Sequence, residues 1–167
     1  MFHRLDDFLQ GYEQLSQGTQ QYLDCLRDTD LSRAVAEDHR TLGGLAWHIV
    51  VSQVEMMNRT GLGLATVHAD APPPAAAREI AEAYRSVARE LPEALRQQWT
   101  DASLQETDEM YGERWPRGLT LRVLREHEIH HRGQMTVLMR QAGLSVPGLF
   151  GPSREEWQRY GMDAPSY

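Results

Sequence analysis

The chain has 167 residues and a formal net charge of −7, and it carries a single cysteine, Cys25. That length fits one domain, read here as residues 1–167; the acidic balance argues against nucleic-acid phosphate as a partner, and one cysteine excludes an internal disulfide. No apolar run approaches the roughly 18 residues of a membrane span and the first residues lack a signal-peptide pattern, so the expectation is a cytoplasmic protein with no membrane partner.

The spacing of apolar residues predicts four helices and no strand of useful length. The first runs from about Leu5 to Arg27, with Leu5, Phe8, Leu9, Tyr12, Leu15, Tyr22 and Leu26 on its apolar stripe. Cys25, between Leu23 and Leu26, reads as a small buried hydrophobe rather than a reactive thiol. Residues 28–38 are polar and read as a loop. The second helix runs from about Thr41 to Arg59, with Thr41 as its N-cap. It is apolar on more than one side (Leu42, Leu45, Ile49, Val50, Val54, Met56, Met57), which suits a central helix or one buried against a second copy of the chain. Gly61 and Gly63 end it, and Ala71 to Pro74 is an extended linker.

The third helix is expected from about Ala75 to Trp99, with Ile80, Tyr84, Val87, Leu91 and Leu95 on one face and Pro92 as a kink or a new start. Thr100 to Gly118 forms a long polar connection, suited to a lid or a short hairpin over a site. The fourth helix spans about Thr120 to Gln141 and ends at Gly143. The tail is mostly irregular, with one short helix near Ser153. Four long helices and one long crossover connection make an all-α four-helix bundle, a class that builds its sites from side chains on facing helices.

The chemistry concentrates in the fourth helix. His127 and His131 are four residues apart, so they share one helix face a single turn apart and can hold one divalent ion together. His48, mid-way along the second helix, is a third candidate ligand. Three imidazoles leave an open coordination position, which suits chemistry better than a purely structural metal. Such a pair also arises by chance, as two partly buried histidines with backbone or water partners. The apolar surroundings weigh against that, because several imidazoles near an apolar face each need a partner and one ion satisfies all of them.

Three features carry a family resemblance: a histidine in the second helix within Leu45-Ala-Trp-His48-Ile-Val, the run His127-Glu-Ile-His-His-Arg-Gly-Gln134, and Gly143 closing the fourth helix. By these the chain resembles the DinB/YfiT-like four-helix-bundle metalloproteins over nearly its whole length, the His-His-Arg-Gly-Gln run being the most specific part. The resemblance implies a metal triad of His48, His127 and His131. It also implies a range of activities: some members are thiol S-transferases using low-molecular-weight thiols such as bacillithiol or mycothiol, a related branch isomerises maleylpyruvate with mycothiol, and many have no assigned reaction. The functional expectation is a metal-dependent thiol S-transferase or hydrolase acting on a small electrophile, with a non-catalytic metal-binding or stress-response bundle as the alternative. Zinc is the first choice of ion, with nickel and iron(II) also permitted. A homodimer is expected from the apolar circumference of the second helix.

The neighbours of the triad have their own expectations. His130 sits beside the ligand face, as an outer partner of the site or an interface residue, or simply in solvent. Glu128 can orient a ligand or act as a base, although its direction points to the surface, where Arg132 can pair with it at i, i+4. Gly133 in a helix interior suggests that another backbone packs closely against it. Gln134, three residues after His131, can hydrogen-bond near the site. Trp47 and Trp115 can wall a pocket, though both suit plain core positions.

Overall fold

The computed structural model describes residues 1–166. Four helices are present: α1 (Leu5–Asp24), α2 (Leu42–Asn58), α3 (Ala77–Gln98) and α4 (Arg117–Gln141). Around the bundle the neighbours run α1, α3, α2, α4 and back to α1. The expected all-α four-helix bundle is therefore the architecture, with α2 and α4 side by side as the histidine triad requires. The buried apolar side chains of all four helices, with Leu104 and Met110 from the connection before α4, form one continuous core.

The helix ends differ from the sequence reading for local reasons. α1 stops at Asp24 rather than Arg27, because Cys25 and Leu26 donate to Tyr22 and Leu23, three residues back, and tighten the last turn. Cys25 is half-buried, and burial pushes its thiol up, which agrees with an inert packing role. Thr41 caps α2 as expected, its hydroxyl accepting from Gly44 N at 3.0 Å. α3 runs unbroken through Pro92. The carbonyl deprived of its partner there belongs to Ala88, and Ala88 and Pro92 both line a surface groove that water can enter. Two helix starts are served by distant aspartates: Asp101 Oδ1 accepts from Leu5 N and Asp28 Oδ1 from Ala77 N, each at 2.7 Å.

The long connection before α4 is a hairpin, β1 (Thr107–Met110) pairing antiparallel with β2 (Glu113–Pro116). Its two-residue turn, Tyr111-Gly112, has φ of 55° and 87°, the left-handed values that a type I′ turn needs at both positions. The sequence reading foresaw a hairpin or a lid there, but not strands, because four residues are too few to show an alternation. α4 begins at Arg117, where β2 ends, three residues before the expected Thr120. The short tail helix is a 3-10 turn at Trp157–Tyr160, not near Ser153. Ser153 instead sits in a loop tied by Glu156, whose carboxylate accepts from the backbone N–H of Gly148 and of Ser153.

The end of the loop read at residues 28–38, with the residues up to Thr41, folds back on the start of α2. Leu42 N donates to Arg33 O at 2.7 Å, Gly43 N donates to Leu31 O at 2.9 Å, and Ala34 bridges Thr41. Gly43 permits this approach: a Cβ there would lie 3.0 Å from Leu31 Cβ and 3.1 Å from Leu31 O. No helix is long and apolar enough to cross a membrane among the described residues.

Candidate metal centre

α2 and α4 bring His48, His127 and His131 together. His127 Nε2 lies 3.3 Å from His48 Nε2 and 3.2 Å from His131 Nε2, and the three donor atoms all fall within 4.8 Å of one another. An ion with bonds of about 2.0–2.1 Å at tetrahedral angles sets its donors roughly 3.3–3.4 Å apart. The spacing of the ring nitrogens therefore fits a divalent ion. His131 is buried, while His48 and His127 are half-buried.

Protonation agrees with that fit. Burial, with smaller contributions from the Arg40 charge and the neighbouring imidazoles, pulls His48 from 6.5 to about 4. Burial likewise pulls His127 to about 4, helped by His131, His130 and Arg40. His131 is also lowered by burial, its bond to Gln134 opposing the shift. Neutral imidazoles are the metal-binding form. Gln134 Oε1 lies 2.7 Å from His131 Nδ1. A carbonyl oxygen only accepts, so Nδ1 carries the proton and the Nε2 lone pair faces the other two rings. This outer partner was foreseen from its i, i+3 spacing.

Other expectations around the triad are corrected. Glu128 is not at the surface but 2% exposed in the core. Thr19 and Tyr84 donate to its Oε1 at 2.6 and 2.5 Å. Arg132, 5% exposed, donates to Leu15 O and to Thr19 Oγ1. Glu128 and Arg132 thus meet through Thr19 rather than as a direct i, i+4 ion pair. Burial raises the Glu128 carboxyl, and hydrogen bonds from Thr19 and Tyr84 and the charge of Arg132 pull it back. Its direction, about 100° from the ligand line, leads to α1 and α3 and not to water. The rule that charged residues lie outside fails where a partner set exists. Glu128 does not touch the triad. His130 is exposed, with its ring centroid 4.9 Å from that of His131. Gly133 is exposed, and nothing lies within 4 Å of a Cβ built there, so no backbone packs against it.

Two clefts reach the triad. One, of about 380 Å³, is lined by Val35, His39, Arg40, Leu45, His131, Gln134, Val137 and Leu138. The other, of about 470 Å³, is lined by His48 and His127 with Val51, Ser52, Glu55, Met56, Ala69, Tyr111 and Val123. Neither tryptophan walls them. Trp47 is buried and ties the proline-rich linker to α2 through Nε1–H to Ala71 O at 2.7 Å. Trp115 stands behind the hairpin tip, ring against Tyr111 at 5.7 Å. Tyr111 reaches the second cleft instead, donating to Glu55 Oε2 at 2.6 Å beneath the Arg59 guanidinium. Burial and the bond to Glu55 push the Tyr111 hydroxyl up to about 12.

Sequence reasoning missed Arg40, Glu55 and Tyr111. One signal for Arg40 was available: a cation just before the N-cap of a helix opposes the helix dipole, an arrangement the helix itself does not favour. No comparable signal marked Tyr111, which comes to the site only through the hairpin.

Known proteins place this architecture. A DinB family model matches residues 1–165. The chain is 42% identical over 165 residues to the uncharacterized protein YrdA of Bacillus subtilis (strain 168), covering 99% of both. A crystal structure of a DinB-like protein from Bacillus cereus ATCC 10987 superimposes with a TM-score of 0.86 at 43% identity, covering 90% of this chain and 100% of that one. A second DinB-like structure, YjoA of Bacillus subtilis, gives a TM-score of 0.68 at 18% identity over 86% of this chain and 96% of that one, a likeness of fold alone. With one family model spanning almost all of its length and relatives above 40% identity, the chain belongs to the DinB family.

Proposed function

We propose that this protein is a metal-dependent transferase that joins a low-molecular-weight thiol to a small electrophile at the His48–His127–His131 centre. The observation that carries this reading is the convergence of three neutral ring nitrogens at the meeting point of two separate clefts. A hydrolase needs room for one organic substrate and water, whereas transfer needs room for two reactants. A divalent ion held by the three imidazoles would supply Lewis-acid charge, undiminished by any anionic ligand, to keep a thiol in its nucleophilic anionic form near neutral pH. Zinc suits a three-histidine open set first, and nickel and iron(II) also suit it.

The chain's own residues do the rest. Gln134 holds the His131 tautomer. Val51, Met56 and Val123 give the second cleft an apolar wall that orients an electrophile and limits water. In the transfer, the sulfur–carbon bond forms as the bond from carbon to the leaving group breaks; the leaving group departs with that electron pair and the thiol proton passes to solvent. Cys25 takes no part, since its thiol is raised by burial and it lines neither cleft.

Cobalt-substituted protein titrated with 2-mercaptoethanol should develop a thiol-dependent charge-transfer absorption, and a model electrophile should be consumed with that thiol. The His127→Ala, His131→Ala double variant should lose bound metal, measured by elemental analysis. A cobalt spectrum indifferent to thiols, with no turnover, would leave a non-catalytic metal-binding bundle as the better description. Full metal occupancy in the double variant would refute the triad itself.

A further inference from the structure

The two clefts differ in charge. The cleft beside His48 and His127 carries the Glu55 carboxylate, already bound to the Arg59 guanidinium and the Tyr111 hydroxyl. The cleft beside His131 carries Arg40 and no carboxylate. Among the described residues, no acidic group lies within 4.0 Å of the Arg40 guanidinium and no hydrogen bond occupies it; Arg4, Arg33, Arg89, Arg96, Arg125 and Arg154 are likewise unpaired, but of these arginines Arg40 is the one that lines a cleft at the triad. The backbone that carries Arg40 is held in place, while its side chain is exposed. Arg40 sits just before the Thr41 cap, on a loop closed by the Leu42–Arg33, Gly43–Leu31 and Ala34–Thr41 contacts. A cation at that point gains nothing from the helix, whose N-terminal dipole repels it. Leu45, Val137 and Leu138 give the same cleft an apolar wall.

We infer that Arg40 is a specificity-determining residue, selecting for the His131 cleft a reactant with a carboxylate or similar anionic group on a short apolar body. The guanidinium binds the anion by charge-assisted hydrogen bonds, the apolar wall takes the body, and the free end of the molecule points at the triad. The other cleft offers no free cation, since its one charged lining group, Glu55, is already bound to Arg59 and Tyr111, so an anion is held on one side of the centre only. This rests on the two-reactant reading above and adds that the thiol-bearing reactant is the anionic one.

The test compares 3-mercaptopropionate with 2-mercaptoethanol on cobalt-substituted protein, read by the thiol-dependent absorption. The native protein should prefer the carboxylate thiol about tenfold, in keeping with a hydrogen bond to a charged group at an open site. Arg40→Gln should bring the two thiols to parity, and Arg40→Glu should reverse the order, with 2-mercaptoethanol binding changed less than about twofold in either case. Unchanged cobalt ligand-field bands in both variants confirm an intact centre. A preference that survives Arg40→Gln, or that is absent from the native protein, overturns the assignment. If neither thiol perturbs the cobalt, the thiol reading fails, and Arg40 is then judged by calorimetry of 4-phenylbutyrate against 4-phenylbutanol on the metal-free protein. A carboxylate preference lost in Arg40→Gln sustains its role as an anion selector, and equal binding of the two overturns it.

Discussion

At the scale of single residues, His131 and Gln134 show how one hydrogen bond prepares a centre. Nδ1–H of His131 is taken by Gln134 Oε1 at 2.7 Å, which leaves Nε2 as the free lone pair. Gln134→Ala should therefore lower metal affinity about 10- to 100-fold while all three imidazoles remain. Competition with a chromogenic chelator measures this, and an unchanged affinity would mean that packing alone orients the ring. Burial also sets the pH response. His48 and His127 titrate near 4 in the fold and near 6.5 when exposed. As pH falls from 6.5 to 4 the unfolded chain takes up protons that the folded chain refuses, so stability is full above 6.5 and declines through that window. Urea unfolding of the metal-free protein at pH 7.5, 6 and 5 should show the decline. A His48→Gln, His127→Gln variant should show a shallower one.

At the scale of elements, α4 carries two polar systems on different sides. Its ligand face meets α2 at the triad. Its other side sends Glu128 and Arg132 into the bundle, where Thr19 of α1 and Tyr84 of α3 complete the set. This second system ties three helices together and sets the rotation of α4, and hence where His127 and His131 point. Removing one member leaves the other buried and poorly compensated. Glu128→Ala should cost about 3 kcal/mol of folding stability, since Arg132 then lies in the core without its counter-charge. Thermal and urea unfolding would register this, and a loss below about 1 kcal/mol would show that Arg132 finds another acceptor or reaches water. The hairpin is the other decisive element. Its left-handed turn at Tyr111-Gly112 brings an aromatic hydroxyl to Glu55 of α2, and so supplies one edge of the second cleft.

At the scale of the whole molecule, the apolar circumference of α2 is covered within the chain. α3 and α4 pack on it and Trp47 is capped by the linker at Ala71. The reason first given for a homodimer therefore moves to α4, where Ile129 is exposed one turn before the open Gly133, on a stripe that leaves the His131 cleft clear. We propose that a second copy packs along this stripe, the missing Cβ letting two helices approach closely. Light scattering should give a dimer mass at micromolar concentration, and Gly133→Glu should shift it to monomer without loss of helix content. A native monomer at that concentration would refute the dimer.

The local code of the sequence already contained the helices, because a 3.6-residue apolar period survives without tertiary information. It contained the triad for a related reason: i, i+4 spacing fixes two ligands by helix geometry alone, and the third, His48, stood out mid-way along a second apolar helix, in the Leu45-Ala-Trp-His48-Ile-Val segment of the family resemblance. The Thr41 cap and Gln134 were legible in the same way, each acting within one turn of its target. What only the tertiary structure decided lies across elements. Glu128 read as a surface residue because its partners are 109 and 44 positions away. Arg40, between the loop read at 28–38 and the helix read from Thr41, carried no signal of a cleft, because α4, distant in sequence, forms the cleft's other side. Tyr111 entered the site through a turn whose handedness, rather than any periodicity, aims it. Spacing along a helix encodes which side chains share a face, but it carries no record of what that face will meet, because the rotation of each helix is set by its packing against the others.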